Sequence, residues 1–314
     1  MTAQLYQEIR ELFDFSTQEG LIETSIPDVT FYHTTKKEIW NTYLQYSGGC
    51  LILQGSHKVQ VGNEIYECHA GDYVCYSVDT PVSVEFFGTE DTPYLDIRLK
   101  FDLDILKDVM DEMTAAGMRF PSTTQFQPIS QISPEELRTV LTTLDLLKDP
   151  NAIKIGWSAM MKIHCYYLLR SEQGSLLRKM LIQESKTNRI SKVVELLKNH
   201  YAEPFNIEKL AQETGMSLSS FHAKFRQMTG MTPLQYQKNL RMIHANFLLK
   251  SKAHRVSEVA YQVGYESLPQ FSREYKRCYG HSPQQDLQIH QELEAIEIVG
   301  LRLPEAILNF SEAK

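Results

Sequence analysis

The sequence predicts an α+β protein of two domains: an N-terminal β-barrel with a helical hairpin, then a C-terminal all-α domain of two helix-turn-helix units. Three observations predict it. Short β-rich runs broken by turn residues fill 31–101, apolar residues recur at helical spacing after Pro128, and the C-terminal third nearly repeats itself at an offset of 50 residues. At 314 residues the chain is also longer than one core usually holds.

Taken in order, the N-terminal stretch MTAQLYQEIRELFDFSTQEG is charged throughout and lacks the apolar run of a signal peptide. No run of 18 apolar residues follows, so a cytoplasmic protein without a membrane span is expected. Five cysteines, an odd count with no CxxC pair, suit a reducing compartment and lack structural-zinc spacing. The runs CLILQ, KVQV, EIYEC, YVCYSV, VSVEFF and YLDIRLKF, separated by QGSH, VGNE, HAGD and GTEDTP, read as the strands of a sandwich or small barrel. Ser133-Pro-Glu-Glu136 is a capping box with proline at the first helical position, opening LRTVLTTLDLL. Asp149-Pro-Asn closes that helix, and a second spans roughly Ile153 to Leu169. Such a pair either covers the barrel or presents Trp157, Met160, Met161, Tyr166 and Leu169 as a dimer interface. The stretch SEQGSLLRKMLIQESKTN, with Gly, Ser and mixed charge, reads as an interdomain connection.

The repeat follows. Ser217, Phe221, Phe225, Gly230 and Pro233 superpose on Ser267, Phe271, Tyr275, Gly280 and Pro283. Each copy reads as helix, tight turn, helix. Leu210/Ala211 and Val259/Ala260 face inward, Gly215 or Gly264 makes the turn, and Ser217 or Ser267 caps the second helix. Phe221/Phe225 and Phe271/Tyr275 anchor one face of that helix. The other face is polar and basic: Ser219, Ser220, His222, Ala223, Arg226 and Gln227 in the first copy, Leu268, Pro269, Gln270, Ser272, Arg273, Lys276 and Arg277 in the second. Residues near the helix start would reach base edges, and Arg226, Lys276 and Arg277 would meet phosphates. Thr232-Pro-Leu-Gln235 opens a connecting helix of about 18 residues, ~27 Å long, which would let two reading helices enter groove segments about one DNA turn apart.

The net charge of −7 argues against a nucleic-acid partner until it is resolved along the chain. Residues 186–286 hold 15 Lys+Arg against 8 Asp+Glu, a charge of +7, while 1–185 carry −11 and the tail −3. A basic helical module at one end of an acidic chain is the electrostatic footprint of DNA binding.

From about Ile190 to Pro283 the chain resembles the DNA-binding domain of AraC/XylS-type transcription regulators, most specifically in VSEVAYQVGYESLPQFSREYKRCYGHSP. The resemblance puts base-reading roles on Ser219, His222, Ala223, Pro269, Gln270 and Arg273. One departure is Pro283-Gln-Gln-Asp-Leu, where the family places Tyr-Arg soon after the proline. Residues 23–110, with ETSIPDVTFYHTT and DTPYLDIRLKFD, resemble the cupin-like N-terminal domain of one AraC-type subgroup. This implies a jelly-roll sensor of a small effector, followed by dimerisation helices. The expected division is a cupin-like effector-sensing domain at 1–130, a helical hairpin at 131–171, a linker at 172–189, the double helix-turn-helix at 190–286, and a tail of unassigned role at 287–314.

Function follows as expectation: a DNA-binding transcription regulator, not an enzyme, without cofactor or metal. Its partners would be promoter double-stranded DNA, a small-molecule effector, a second copy of the chain and RNA polymerase. Cupin folds also host metal enzymes, which need a His-x-His pair with a nearby Glu. His57 and His69 stand alone, and HAGD reads as a turn. Polar residues in apolar strands, namely Tyr43, Gln54, Tyr76 and Arg98, are candidate effector contacts. Arg98 would pair either an anionic ligand or a structural carboxylate. Two alternatives stay open. Cys50, Cys68 and Cys75 could line one cavity and sense an electrophile or oxidant, or the barrel could be an effector-independent dimerisation platform.

Overall fold

The computed structural model describes residues 19–120, 129–171, 173–182, 185–250 and 255–288. The readings of the N-terminal stretch 1–18 and of the tail beyond 288 lie outside the described residues. The described chain begins with nine strands: β1 (Gly20–Glu23), β2 (Val29–Thr34), β3 (Lys37–Gln45), β4 (Gly48–Gln54), β5 (Ser56–Val61), β6 (Glu64–His69), β7 (Asp72–Tyr76), β8 (Thr80–Phe87) and β9 (Tyr94–Lys100). Helix α1 (Leu103–Ala115) and strand β10 (Ile129–Gln131) follow. The strands form two antiparallel sheets, ordered β1-β2-β9-β4-β7-β10 and β3-β8-β5-β6.

Alternation explains the layering. Strand β5 alternates half-buried and buried positions, so one of its faces is sealed. Strand β4 is buried along nearly its whole length. One of its faces, with Cys50 and Ile52 opposite Arg98 and Asp96, looks toward the other sheet. The opposite face, Leu51 and Leu53, joins Val29, Phe31, Leu95 and Ile97 in a core completed by helices α2 (Pro134–Asp145) and α3 (Pro150–Arg170). Those helices contribute Leu137, Val140, Leu144 and Ile153.

The capping box of α2 forms as expected: Glu136 N–H donates to Ser133 Oγ at 3.1 Å, and Ser133 N–H donates to Glu136 Oε2 at 3.0 Å. Asp149 departs from expectation. A 3₁₀ turn at Leu146–Lys148 ends the first helix, and Asp149 caps the second by accepting from Asn151 N–H at 2.8 Å. The chain then folds back so that Thr143 Oγ1 meets His164 Nε2 at 2.8 Å. The expected dimer face also needs correction. Met161 and Leu169 are buried and Trp157 packs on the sheet–helix core, Met160 and Tyr166 are half-buried, and the exposed large apolar residues of α3 are Ile155 and Ile163.

Helix α1 was not anticipated. Asp102 caps it by accepting from Asp104 and Ile105 N–H, and Leu106, Val109 and Met113 seal one side. The expected connection at 172–189 is largely helical. Helix α4 (Gly174–Leu181) buries Leu176, Leu177 and Met180, and its Arg178 guanidinium donates to the Leu169 and Ser171 carbonyls.

Helices α5 (Lys186–Asn199), α6 (Ile207–Glu213), α7 (Leu218–Thr229), α8 (Pro233–Lys250), α9 (Val256–Gln262) and α10 (Leu268–Tyr279) complete the described order. Contacts divide the chain into two compact units. One holds residues 1–199 and 205–237, the other 200–204 and 238–314. The first helix-turn-helix thus belongs to the same unit as the barrel. The second unit has its own core of Met242, Ala245, Leu249, Val259, Ala260, Val263, Tyr265, Phe271 and Tyr275. Among the described residues no helix is long and apolar enough to cross a membrane.

Candidate functional site

The two helix-turn-helix units are built alike, the second with one extra residue between its turn glycine and its capping serine. In the first, Gly215 turns the chain at φ +64°, Ser217 Oγ accepts from Ser220 N–H, and Gly230 ends α7 in the left-handed region. In the second, Gly264 turns at φ +87°, Ser267 Oγ accepts from Gln270 N–H, and Gly280 ends α10 in the same way. The likeness continues past the repeat's prolines. Thr232 and Gln235 exchange backbone-to-side-chain bonds at the start of α8, and Ser282 and Gln285 repeat that exchange 50 positions on. The unusual Pro283-Gln-Gln-Asp sequence therefore still opens a helical turn, over 283–288. Its Asp286 accepts from Tyr275 Oη at 2.7 Å.

Phe221, Phe225, Phe271 and Tyr275 are wholly buried, each stabilising its unit by about 2–3 kcal/mol. At 100° per residue this turns the opposite face of each helix outward. On α10 that face carries Pro269, Gln270, Arg273, Lys276 and Arg277, all exposed, with Ser272 half-buried at its edge. On α7 the matching positions are Ser219, Ser220, Ala223 and Arg226, with His222 half-buried against Phe221. The faces are unequal in charge, three cations on α10 against one on α7.

Within the first unit, Ala223 and Arg226 are not simply solvent-facing. With Lys224, Gln227 and Gly230 they border an open cleft of about 500 Å³ whose other wall is Glu64 and Tyr66 of β6. The β5–β6 turn reaches α7's end: a Cβ on Gly62 would collide with the Gly230 carbonyl, and Gln235 Nε2 donates to Asn63 Oδ1 at 3.3 Å.

The space between the sheets holds a polar chain. Arg98 donates through Nε and an Nη to the two Asp96 oxygens, at 2.9 and 3.0 Å, and Tyr94 Oη donates to Asp96 Oδ2 at 2.8 Å. Since that hydroxyl's one hydrogen is spent on Asp96, His57 Nδ1, 2.8 Å away, is the donor to its oxygen. Burial pushes the His57 imidazole down to about 4 despite the nearby Asp96. The Arg98 guanidinium also lies over the rings of Tyr32 and Tyr43. Of the four effector candidates, Tyr43 and Arg98 thus touch, and Tyr76 lies near them beside Cys50 and Cys68. Gln54, half-buried at the far end of β4, has no described contact with this network. For Arg98, the partner present is the structural carboxylate.

The cysteines do not share one cavity. Cys50 and Cys68 face the inter-sheet space, whereas Cys75 lies opposite Gly49 on the face turned to the helices. All three are buried. Burial raises every thiol, Cys68 and Cys75 to about 12 and Cys50 well above its ordinary value, which suppresses the reactive thiolate. His57 and His69 point apart, the first buried and the second two-thirds exposed. No three His, Cys, Asp or Glu converge as a metal site among the described residues.

Sequence reasoning missed a cleft of about 610 Å³ between the barrel rim and α1, α4 and α5. Lys100, Lys107, Lys192 and Lys198 line it, with the Ser77 hydroxyl buried there without a partner. Asp79 ties its walls: Oδ1 accepts from Ser47 N–H, Oδ2 from Lys198 Nζ, and its carbonyl from Tyr236 Oη. These residues come from elements far apart in sequence, so no local motif signals them.

Comparison with known proteins gives two family models. Residues 25–176 match the AraC-type transcriptional regulator N-terminus, and residues 210–288 match a helix-turn-helix domain. The HTH-type transcriptional activator RhaS of Salmonella paratyphi B is 36% identical over 111 residues, 34% of this chain and 40% of RhaS. The match therefore spans two-fifths of the length of such curated relatives. ToxT from Vibrio cholerae O395 bound to (E)-4-(8-methylnaphthalen-1-yl)but-3-enoic acid shares the fold at 12% identity, with a TM-score of 0.53, covering 83% of this chain and 98% of ToxT. Unsaturated fatty acid-bound ToxT from strain SCE256 gives a TM-score of 0.51 at 12% identity, over 82% and 94% of the two chains.

Proposed function

The chain belongs to the AraC-type transcriptional regulators, and from that premise we propose that its paired helix-turn-helix units bind promoter DNA under control of a small effector held by the N-terminal barrel. One observation carries the DNA reading. Both second helices bury an aromatic pair and turn a polar face outward, and on α10 that face bears Arg273, Lys276 and Arg277. Pro269, Gln270 and Arg273 sit early enough on their helix to meet base edges, while Lys276 and Arg277 meet phosphates. Ser219, Ser220, His222, Ala223 and Arg226 do the corresponding work on α7.

Effector control is supported by analogy of fold with ToxT, which binds a fatty acid. Binding would shift which arrangement of the DNA-binding units is populated, with no bond made or broken. Two copies would associate through the helical hairpin, and RNA polymerase would be the downstream partner. The saturated Asp96 network favours a second reading, in which the barrel is a dimerisation platform without an effector.

Fluorescence anisotropy on selected DNA tests the first part. Arg273→Ala is expected to weaken specific binding by roughly 1–3 kcal/mol if Arg273 reads a base, or mainly to lower the salt slope if it meets phosphate. Unchanged affinity and slope together remove α10 from the groove. A thermal-shift screen of the full chain against metabolites, aldehydes and fatty acids separates effector from platform.

A further inference from the structure

Glu274 is an acid on α10, a helix whose exposed face is otherwise cationic, one turn after Gln270. Its carboxylate is only 13% exposed and is held from three directions. Oε2 accepts from Tyr265 Oη at 2.6 Å, and Oε1 accepts from Lys238 Nζ at 3.0 Å and from Gln270 Nε2 at 3.2 Å. Tyr265 comes from the turn after α9 and Lys238 from α8, so the carboxylate is anchored by two other elements before it meets Gln270. Burial alone would raise its pKa, but the bonds from Tyr265, Lys238 and Gln270 outweigh that and hold it below the usual carboxylate range. It is therefore ionised, and Lys238 offsets its charge next to DNA.

We propose that Glu274 is a positioning residue for sequence reading: it fixes the Gln270 amide so that the carbonyl oxygen and the second N–H face the major groove, a pattern that selects adenine. This rests on the reading that the exposed face of α10 enters the groove. An exposed glutamine on its own samples many rotamers and can turn its amide over. Here a flip would set the amide oxygen against the Glu274 carboxylate, so one orientation is retained. Of the two amide hydrogens one is committed to Glu274. The remaining N–H and the oxygen match adenine N7 and N6–H, whereas guanine offers two acceptors, one of which would oppose the amide oxygen.

The test uses the full-length protein and a pool of randomised duplexes, scoring base preference at each position for wild type, Gln270→Ala, Glu274→Ala and Glu274→Gln. Wild type is expected to prefer adenine about tenfold at one position, and Gln270→Ala to erase that preference. Glu274→Ala is expected to lower it below about threefold at that position alone, and Glu274→Gln, which keeps an acceptor oxygen, to retain most of it. Full preference in Glu274→Ala overturns the proposal. So does a uniform loss of affinity on all sequences, the mark of a residue that only packs the helix. A preference untouched by Gln270→Ala overturns instead the placement of Gln270 at a base.

Discussion

His57 shows how much one side chain's surroundings decide. Buried between the sheets, it donates to Tyr94 and stays neutral, with its pKa pressed from 6.5 to about 4. The unfolded chain takes up a proton below pH 6.5 that the folded one refuses down to about pH 4. Stability from this group is thus complete above pH 6.5 and is lost as pH falls through that window. Between pH 7 and pH 5 the loss is about 2 kcal/mol. Urea titrations at the two pH values check it, with His57→Gln expected to flatten the dependence. In the sequence His57 was legible only as a lone histidine that could not make a metal pair. Its partner Tyr94 lies on a strand far along the chain, and strand alternation alone could not say which face turns inward. For the same reason the sequence marks Arg98 as a polar residue in an apolar strand without choosing between an anionic ligand and a structural carboxylate, which proves to be Asp96, two positions away on the same face.

At the scale of elements, the helix-turn-helix units were the most legible part, because caps, turn glycines and aromatic pairs are local and recur at a fixed offset. The glycines are not equivalent, however. Gly264 and Gly280 both adopt φ near +80°, yet a Cβ on Gly264 would collide with the Ala202 carbonyl while one on Gly280 would meet nothing within 4 Å. Gly280→Ala should therefore cost only the left-handed strain, about 1–2 kcal/mol. Gly264→Ala should exceed it, at 3 kcal/mol or about that. Thermal unfolding of the two variants ranks them, and equal losses would remove the collision as a cause. Helix α1 and strands β1, β2, β3 and β10 were not legible. α1 follows β9 with only Asp102 as a start signal, and the three-residue β10 is a strand only because it pairs with β7.

For the whole molecule, charge is the property the sequence displays most directly. The chain is −7 overall, but residues 186–286 are +7, and Arg226, Arg273, Lys276 and Arg277 are the cations on the outward faces of α7 and α10. Affinity for DNA should therefore fall linearly in log–log form with salt. Lys276→Ala or Arg277→Ala should each reduce the slope by about one unit. Neutralising acids within 1–185 should leave the slope unchanged, and anisotropy titrations between low and moderate salt measure it. The division into units was less legible than the charge. Composition suggested a break at 172–189, whereas contacts group the first helix-turn-helix with the barrel. Long-range contacts of this kind, such as Tyr236 to Asp79, leave no trace in local sequence.

The two-faced sheet has a consequence in time. Strand β9 joins β2 and β4, so the large sheet cannot close until residue 100 has been made. Its outer apolar face, Val29, Phe31, Leu51 and Ile97, is then covered only when Leu137 through Ile153 arrive. At ribosomal rates that interval of roughly 50 residues lasts about 3–10 seconds. During it the nascent sheet leaves that apolar face uncovered, the kind of transiently exposed surface that makes a folding chain prone to aggregate. The helix-turn-helix of residues 255–280, built from contacts close in sequence, has no comparable wait.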